Sequence, residues 1–400
     1  MRITTYTRRP FLLAAFVLAA CPSTREIGPD APSDVGFDAG PPEANGLDLL
    51  FMIDNSCPMA EEQVNLVADL PHLFVALSTG DVDGDGDREL GPIASLHVGV
   101  VTSDMGAGPH EGVPTCGRGL GDDGILRARS RLTTGPCRAV YPSGVFEFMP
   151  LSETSADTHA STMGCVANVG TGGCGFEQQL ESALKAVTPS QRNAGTAEGY
   201  VPPRFVSAEG VPDVESGQAD RANAGFVRRD SALAIVLVTD EDDCSVRDYG
   251  LYVSGDPRFS GTPLNLRCRR FGSPEQGVVH PVSRYVEGFL GLRRDPRTLA
   301  FSVITGVPPS AIDEGAEVPD FDRILTDPNM IPTENAEGTN VNPACSTDNG
   351  VAYPPIRLVE TARGLHAAGA QVSVSSLCAS TFRPAIDQFL VSLAPIFPPR

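Results

Sequence analysis

The chain has 400 residues and a formal net charge of −20, with 50 acidic side chains against 30 Lys and Arg. That balance argues against a nucleic-acid partner, which needs clustered Lys and Arg to hold phosphate, and makes metal cations the more natural partners. A hydrophobic fraction of 41% supports a packed core, while 41 Gly and 35 Pro predict long loops on a modest frame of strands and helices.

Residues 1–21 read as a leader. Arg8 and Arg9 precede an apolar run, Phe11 to Ala20, that is too short to span a bilayer as a helix. The run ends in Leu18-Ala-Ala-Cys21, which resembles a bacterial lipobox in which Cys21 is lipidated and becomes the mature N-terminus; an ordinary cleavage site is the alternative. Thr7 to Leu12 also resembles a twin-arginine export signal. Residues 22–46 are dominated by Pro, Gly, Asp and Ser without periodicity, which predicts a disordered tether. The expected location is the bacterial cell envelope, lipid-anchored at the outer membrane or cell surface.

Strand-like runs then follow at 47–54, 96–104, 232–240, 299–307 and 370–378. Several are continuously apolar and rich in Val, Ile and Leu, as strands covered on both faces are. Helical spacing appears at 58–78, 176–187, 282–293, 355–369 and 381–393. In the first of these, Pro58 takes a permitted first position, Glu61 and Glu62 suit the helix dipole, and Pro71 should kink or break the helix. The alternation predicts an α/β fold, a doubly wound, mostly parallel sheet flanked by helices, over residues 47–395. Gly-, Pro- and Ser-rich stretches at about 104–165 and 188–230 read as long insertions.

Between the first helix and second strand, "DVDGDGDREL" places Asp81, Asp83, Asp85 and Asp87 at alternate positions with Gly86 at the bend, like the start of a calcium loop. Glu89 falls at loop position nine, but the bidentate Glu expected at position twelve is Pro92. A structural Ca²⁺ is expected here; a solvated acidic loop is the alternative.

Ligands of open parallel sheets sit beyond the carboxyl ends of the strands. Two of the most apolar runs end there in acids: Asp54, followed by Asn55 and Ser56, and Asp240, within Thr239-Asp-Glu-Asp-Asp243. If the two strands are neighbours, Asp54 and Asp240 converge without a basic residue in either turn, and a hard cation would remove their repulsion. Thr171, in the Gly-rich loop 170–175 before a helix, could reach the same crevice; Thr162 is the alternative.

Strand-Asp-Asn-Ser, a loop Thr and strand-Thr-Asp together resemble a von Willebrand factor type A domain, in particular bacterial lipoproteins with such a domain behind a tether. The resemblance covers roughly residues 47–395 and implies a metal-ion-dependent adhesion site holding Mg²⁺ or Ca²⁺ at Asp54, Ser56, Thr171 and Asp240. It also implies a protein or cell-surface ligand whose carboxylate completes the coordination sphere, with no bond broken. The sequence departs from the family's D-x-S-x-S at Pro58, where a second serine is expected, and one hydroxyl ligand is lost. The alternatives are a metal-independent envelope scaffold on the same fold, and an Asp-dependent hydrolase or phosphotransfer enzyme. The latter needs an acid two residues after Asp54, where Ser56 stands. The Gly-rich loop lacks the Lys of a phosphate-binding loop and no G-x-S-x-G elbow occurs, so neither an organic cofactor nor a serine hydrolase is expected.

Ten cysteines are present, and setting Cys21 aside leaves nine. Export predicts disulfides. Cys57, in the tight turn after Asp54, is the expected odd one, unpaired or paired outside the chain. Neighbour pairing of the rest gives Cys116–Cys137, Cys165–Cys174, Cys244–Cys268 and Cys345–Cys378. No C-x-x-C pair supports a zinc site.

Overall fold

The computed structural model describes residues 44–130, 137, 141–149, 152–191, 200–213, 216–313, 315–347 and 350–399. The leader with Cys21, and the tether as far as residue 43, lie outside the described residues, as do parts of both expected insertions.

In chain order the elements are β1 (Leu47–Ile53), α1 (Ala60–Thr79), β2 (Leu96–Thr102), β3 (Phe146–Phe148), α2 (Glu153–Ala167), α3 (Gln179–Val187), β4 (Phe205–Val206), β5 (Pro212–Asp213) and β6 (Ala232–Val238). Then come α4 (Leu264–Phe271), α5 (Val282–Leu290), β7 (Leu299–Thr305), α6 (Phe321–Thr326), β8 (Cys345–Thr347), β9 (Gly350–Ala352), α7 (Ile356–Ala367), β10 (Gln371–Ser376) and α8 (Arg383–Ser392). A short 3₁₀ turn, Cys57–Met59, leads into α1.

All five apolar runs become strands of one sheet, ordered β10-β7-β6-β1-β2-β3 and parallel except for the antiparallel edge strand β3. Strands β1, β2, β6 and β7 send side chains into two cores, one on each face of the sheet. Leu47, Leu49, Phe51 and Ile53 of β1 pack with Leu66, Leu70 and Phe74 of α1 and with Met163 of α2 and Phe389 of α8. Leu50 and Met52 face Leu180 and Leu184 of α3, Phe289 of α5 and Leu358 of α7. Burial on both faces explains the unbroken apolar sequences. The sheet is doubly wound, and its strand order reverses between β1 and β6, the topological switch point.

Three expectations need correction. Pro71 does not end α1, which continues to Thr79. Pro71 is exposed, so water can satisfy the carbonyl its ring leaves unpaired. The stretch 104–165 is not all loop, because β3 and most of α2 lie within it. The disulfides are Cys116–Cys174, Cys137–Cys165, Cys244–Cys268 and Cys345–Cys378. Neighbour pairing holds for the last two and fails for the first four cysteines. The chain passes through β3 and α2 between them, which brings Cys165, near the end of α2, back to Cys137. Cys174 in the Gly-rich loop meets Cys116 in a small separate core with Val113, Phe176, Tyr249 and Tyr252. Cys57 is the free cysteine among the described residues, and it is exposed.

Candidate metal centre at the carboxyl edge of the sheet

Asp54 and Asp240 leave adjacent strands at the switch point. β1 and β6 are in register from Leu47↔Ala232 to Ile53↔Val238, and the Asp54 N–H donates to Val238 O at 2.9 Å. Both aspartates are fully buried. Asp54 Oδ1 accepts from the Ser56 N–H and from Ser103 Oγ, each at 2.8 Å, and its Oδ2 accepts from Thr239 Oγ1 at 2.6 Å. Burial raises the Asp54 carboxyl, and these donors offset part of the rise.

Asp240 has no such support. Neither of its carboxylate oxygens has a hydrogen-bond partner, and the same holds for Ser56 Oγ and Asn55 Nδ2. Its carboxyl is pushed well above the ordinary carboxylate range by burial and then by the charges of Asp54, Glu241 and Glu62. Other buried aspartates are treated differently. Asp48, at the amino end of β1, accepts from the Arg228 backbone N–H and Nε, both at 2.6 Å, and from Ser231 Oγ. Asp243 accepts from Arg357 Nη2 at 3.0 Å and caps the Leu180 N–H at the start of α3, also at 3.0 Å. Of the acidic run Asp240–Asp243, the last two are therefore committed to structure, since Asp242 Oδ1 also accepts from the Arg357 N–H at 2.9 Å.

Three further acids surround the crevice. Glu62, in the first turn of α1, is 1% exposed with both oxygens unpartnered, and its carboxyl is raised to about 7 by burial, with Glu61 and Asp54 adding to the rise. Buried Glu177 and half-buried Glu241 lie within hydrogen-bond reach of each other. Burial is the main cause that raises both, and Glu241 reaches about 7. Among the described residues no basic side chain forms an ion pair with Asp54, Glu62, Glu177, Asp240 or Glu241. Buried carboxylates without counter-charge and the unpartnered Ser56 hydroxyl suit a hard divalent cation, Mg²⁺ or Ca²⁺, but no three of these acids bring their oxygens within 4.8 Å of one another.

The Gly-rich loop is fastened to the motif turn. Gln63 Nε2 donates to Asp54 O and to Gly170 O, both at 3.0 Å, and the Gly170 N–H donates back to Gln63 Oε1 at 3.1 Å. The Gly173 N–H donates to Asn55 O at 2.8 Å. A Cβ on Gly173 would lie 2.2 Å from Asn55 Oδ1, so a larger residue here would displace the Asn55 side chain. Thr171 lies on this loop and is exposed. Thr162 belongs to α2, where its hydroxyl donates to Thr158 O at 3.0 Å. Ser103, Glu62 and Glu177 were not singled out as site residues in the sequence. Ser103 follows β2 as Asp54 follows β1, and its place just past a strand end is the signal that could have found it.

The 81–89 loop brings carboxylate oxygens of Asp81, Asp83 and Glu89 within 4.8 Å of one another, the tightest acidic convergence among the described residues. Asp81 also accepts from the Gly84 and Gly86 N–H groups at 2.7 and 3.0 Å. Asp85 and Asp87 are exposed and stand outside this triad.

Glu177 and Glu241 also line a cavity of about 460 Å³ whose other walls include Phe176, Leu264, Met330 and Tyr353. A larger cavity, about 580 Å³, opens at the opposite, amino edge of the sheet beside Arg228 and Arg293. Those two arginines lie against Asp48, and the switch-point rule favours the smaller cavity as the ligand side. No family model matches the chain, and no curated protein matches it.

Proposed function

We propose that this chain is a lipid-anchored binding module of the von Willebrand A type. Asp54, Ser56 and Asp240 hold a divalent cation, Mg²⁺ or Ca²⁺, with Thr171 at the rim, and a carboxylate of a protein or cell-surface ligand completes the coordination. Lipid on Cys21 and the tether of residues 22–46 keep the domain at the cell envelope. The loop of Asp81, Asp83 and Glu89 carries a second, structural Ca²⁺. The observation that carries this reading is Asp240: a buried carboxylate with no hydrogen-bond partner on either oxygen, beside a second buried carboxylate and no ion-paired base. Such a group is costly to bury in its ionised form unless a positive charge joins it.

The metal-independent scaffold has one observation in its favour, because Asp54 already has three neutral donors. Thermal melting of the full chain in chelator, Mg²⁺ and Ca²⁺ separates the two. Ligand at a hundredfold excess over its Kd stabilises by about 2.7 kcal/mol. Wild type should gain on that order, and the Asp54→Ala/Asp240→Ala double variant should keep only the share due to the 81–89 loop. Identical metal responses in the two proteins would leave the scaffold reading standing.

A further inference from the structure

The carboxyl-edge cavity of about 460 Å³ begins beside Asp240 but has chemistry of its own. Glu241 follows Asp240 in the chain, and Tyr353, which also lines the cavity, donates its N–H to Asp240 O at 2.7 Å. Phe176, Leu264, Met330, Ile331 and Val341 supply apolar surface. A volume of this size is that of a pocket for an organic molecule and far exceeds what a bare ion needs. Four acids and two arginines line it. Both arginines are already engaged: Arg357 pairs with Asp243 at 3.0 Å and donates to His280 O at 2.8 Å, and Arg269 pairs with Glu334 at 2.8 Å. Asp242 and Asp243 are in turn taken up by Arg357 and by the start of α3. Glu177 and Glu241 remain. Their carboxyls lie within hydrogen-bond reach of each other, Glu177 is only 3% exposed, and neither has an ion-paired base among the described residues. Two carboxyls in contact can share one proton, which leaves one negative charge beside apolar walls. Burying that charge without a counter-charge is costly.

We infer that this cavity binds a small organic monocation, an ammonium or amidinium group on an apolar body, with the charge on Glu177 and Glu241 and the body against Phe176 and Leu264. Phe176 and Tyr353 add aromatic surface, to which cations are attracted. The site needs no metal ion and stands whether or not Asp54 and Asp240 hold one.

Isothermal titration calorimetry on the full chain in detergent, with chelator present throughout, tests this with benzamidine, with benzamide as its neutral counterpart of nearly the same shape, and with methylammonium, which has the charge without the body. Benzamidine should bind, and benzamide should bind about tenfold to a hundredfold more weakly, as expected for hydrogen bonds to a charged group. Methylammonium should also bind much more weakly than benzamidine. Glu177→Gln/Glu241→Gln keeps the shape of both side chains and removes their charge; it should weaken benzamidine by a similar factor and leave benzamide little changed. Absence of benzamidine binding, equal affinity for benzamidine and either control compound, or unchanged benzamidine binding in the double variant each overturns the assignment. Near-ultraviolet circular dichroism checks that the double variant is folded; if it is not, Glu241→Gln alone, at the half-buried member of the pair, gives the same comparison.

Discussion

Asp240 and Asp243 stand three residues apart, both at most 2% exposed, and replacing each by alanine should have opposite effects. Asp243 accepts five hydrogen bonds: from the Leu180 N–H, from Ser245 Oγ and N–H, and from Nε and Nη2 of Arg357. The Arg357 side chain is only 14% exposed. Asp243→Ala would leave that guanidinium buried without its carboxylate and uncap α3, a loss of about 3–5 kcal/mol. At roughly 2 °C per kcal/mol for a chain of this size, melting should fall by about 6–10 °C. Asp240→Ala removes a carboxylate whose oxygens have no partners, and relief of an unsatisfied buried polar group is worth about 1–3 kcal/mol. In chelator at pH 7.5 this variant should melt at or above the wild-type temperature. The sign with pH is fixed as well. A carboxyl raised in the folded state is penalised above its folded pKa and relieved as pH falls toward its ordinary value of 3.8, so the gain should shrink in acid. Differential scanning calorimetry in chelator reads all of these. Equal destabilisation by the two substitutions would refute the division into one structural and one ligand-holding aspartate.

His280 is buried, with Nε2 unpartnered 3.7 Å from Glu181 Oε1, and burial lowers it from 6.5 to about 4 despite Glu181. The unfolded chain therefore binds a proton that the folded one refuses across that window; stability is whole above pH 6.5 and falls by up to about 3 kcal/mol toward pH 4. Urea unfolding of wild type and His280→Gln from pH 7 to 4.5 should show a shallower loss in the variant, and parallel curves would exclude this role. Non-reducing peptide mapping should recover Cys116–Cys174 and Cys137–Cys165 as linked pairs; finding Cys116 joined to Cys137 would contradict the fold of the Gly-rich loop. Gln63→Leu removes three hydrogen bonds that fasten this loop to the Asp54 turn and should cost about 1–3 kcal/mol. It should also increase proteolysis at residues 170–173, and unchanged protection there would show that the loop is held by other contacts.

The strands were legible because two-sided burial writes itself as unbroken runs of Val, Ile and Leu, and their boundaries fell within two residues of those expected. Asp54 and Asp240 were legible for a related reason, as charges set at the ends of such runs. Helix α2 was not. Its sequence, "ETSADTHASTMGCVA", is made largely of small residues, chosen for close approach to α1: a Cβ on Gly164 would stand 2.9 Å from Val67 Cγ1. Close packing of that kind leaves little hydrophobic periodicity to read. Glu62 was read as a helix-dipole acid, because its position in the first turn allows that role and sequence alone cannot show that Gly350 shuts it from water. The pairing of Cys137 with Cys165 depends on where α2 returns the chain, which spacing does not encode.

The most direct measurement is anomalous diffraction at the manganese edge from crystals of the protein grown with Mn²⁺. The account predicts a peak between the carboxylates of Asp54 and Asp240, within reach of Ser56 Oγ. A peak at Asp81, Asp83 and Glu89 with none at the switch point would show that the ion was available and that the crevice does not hold it.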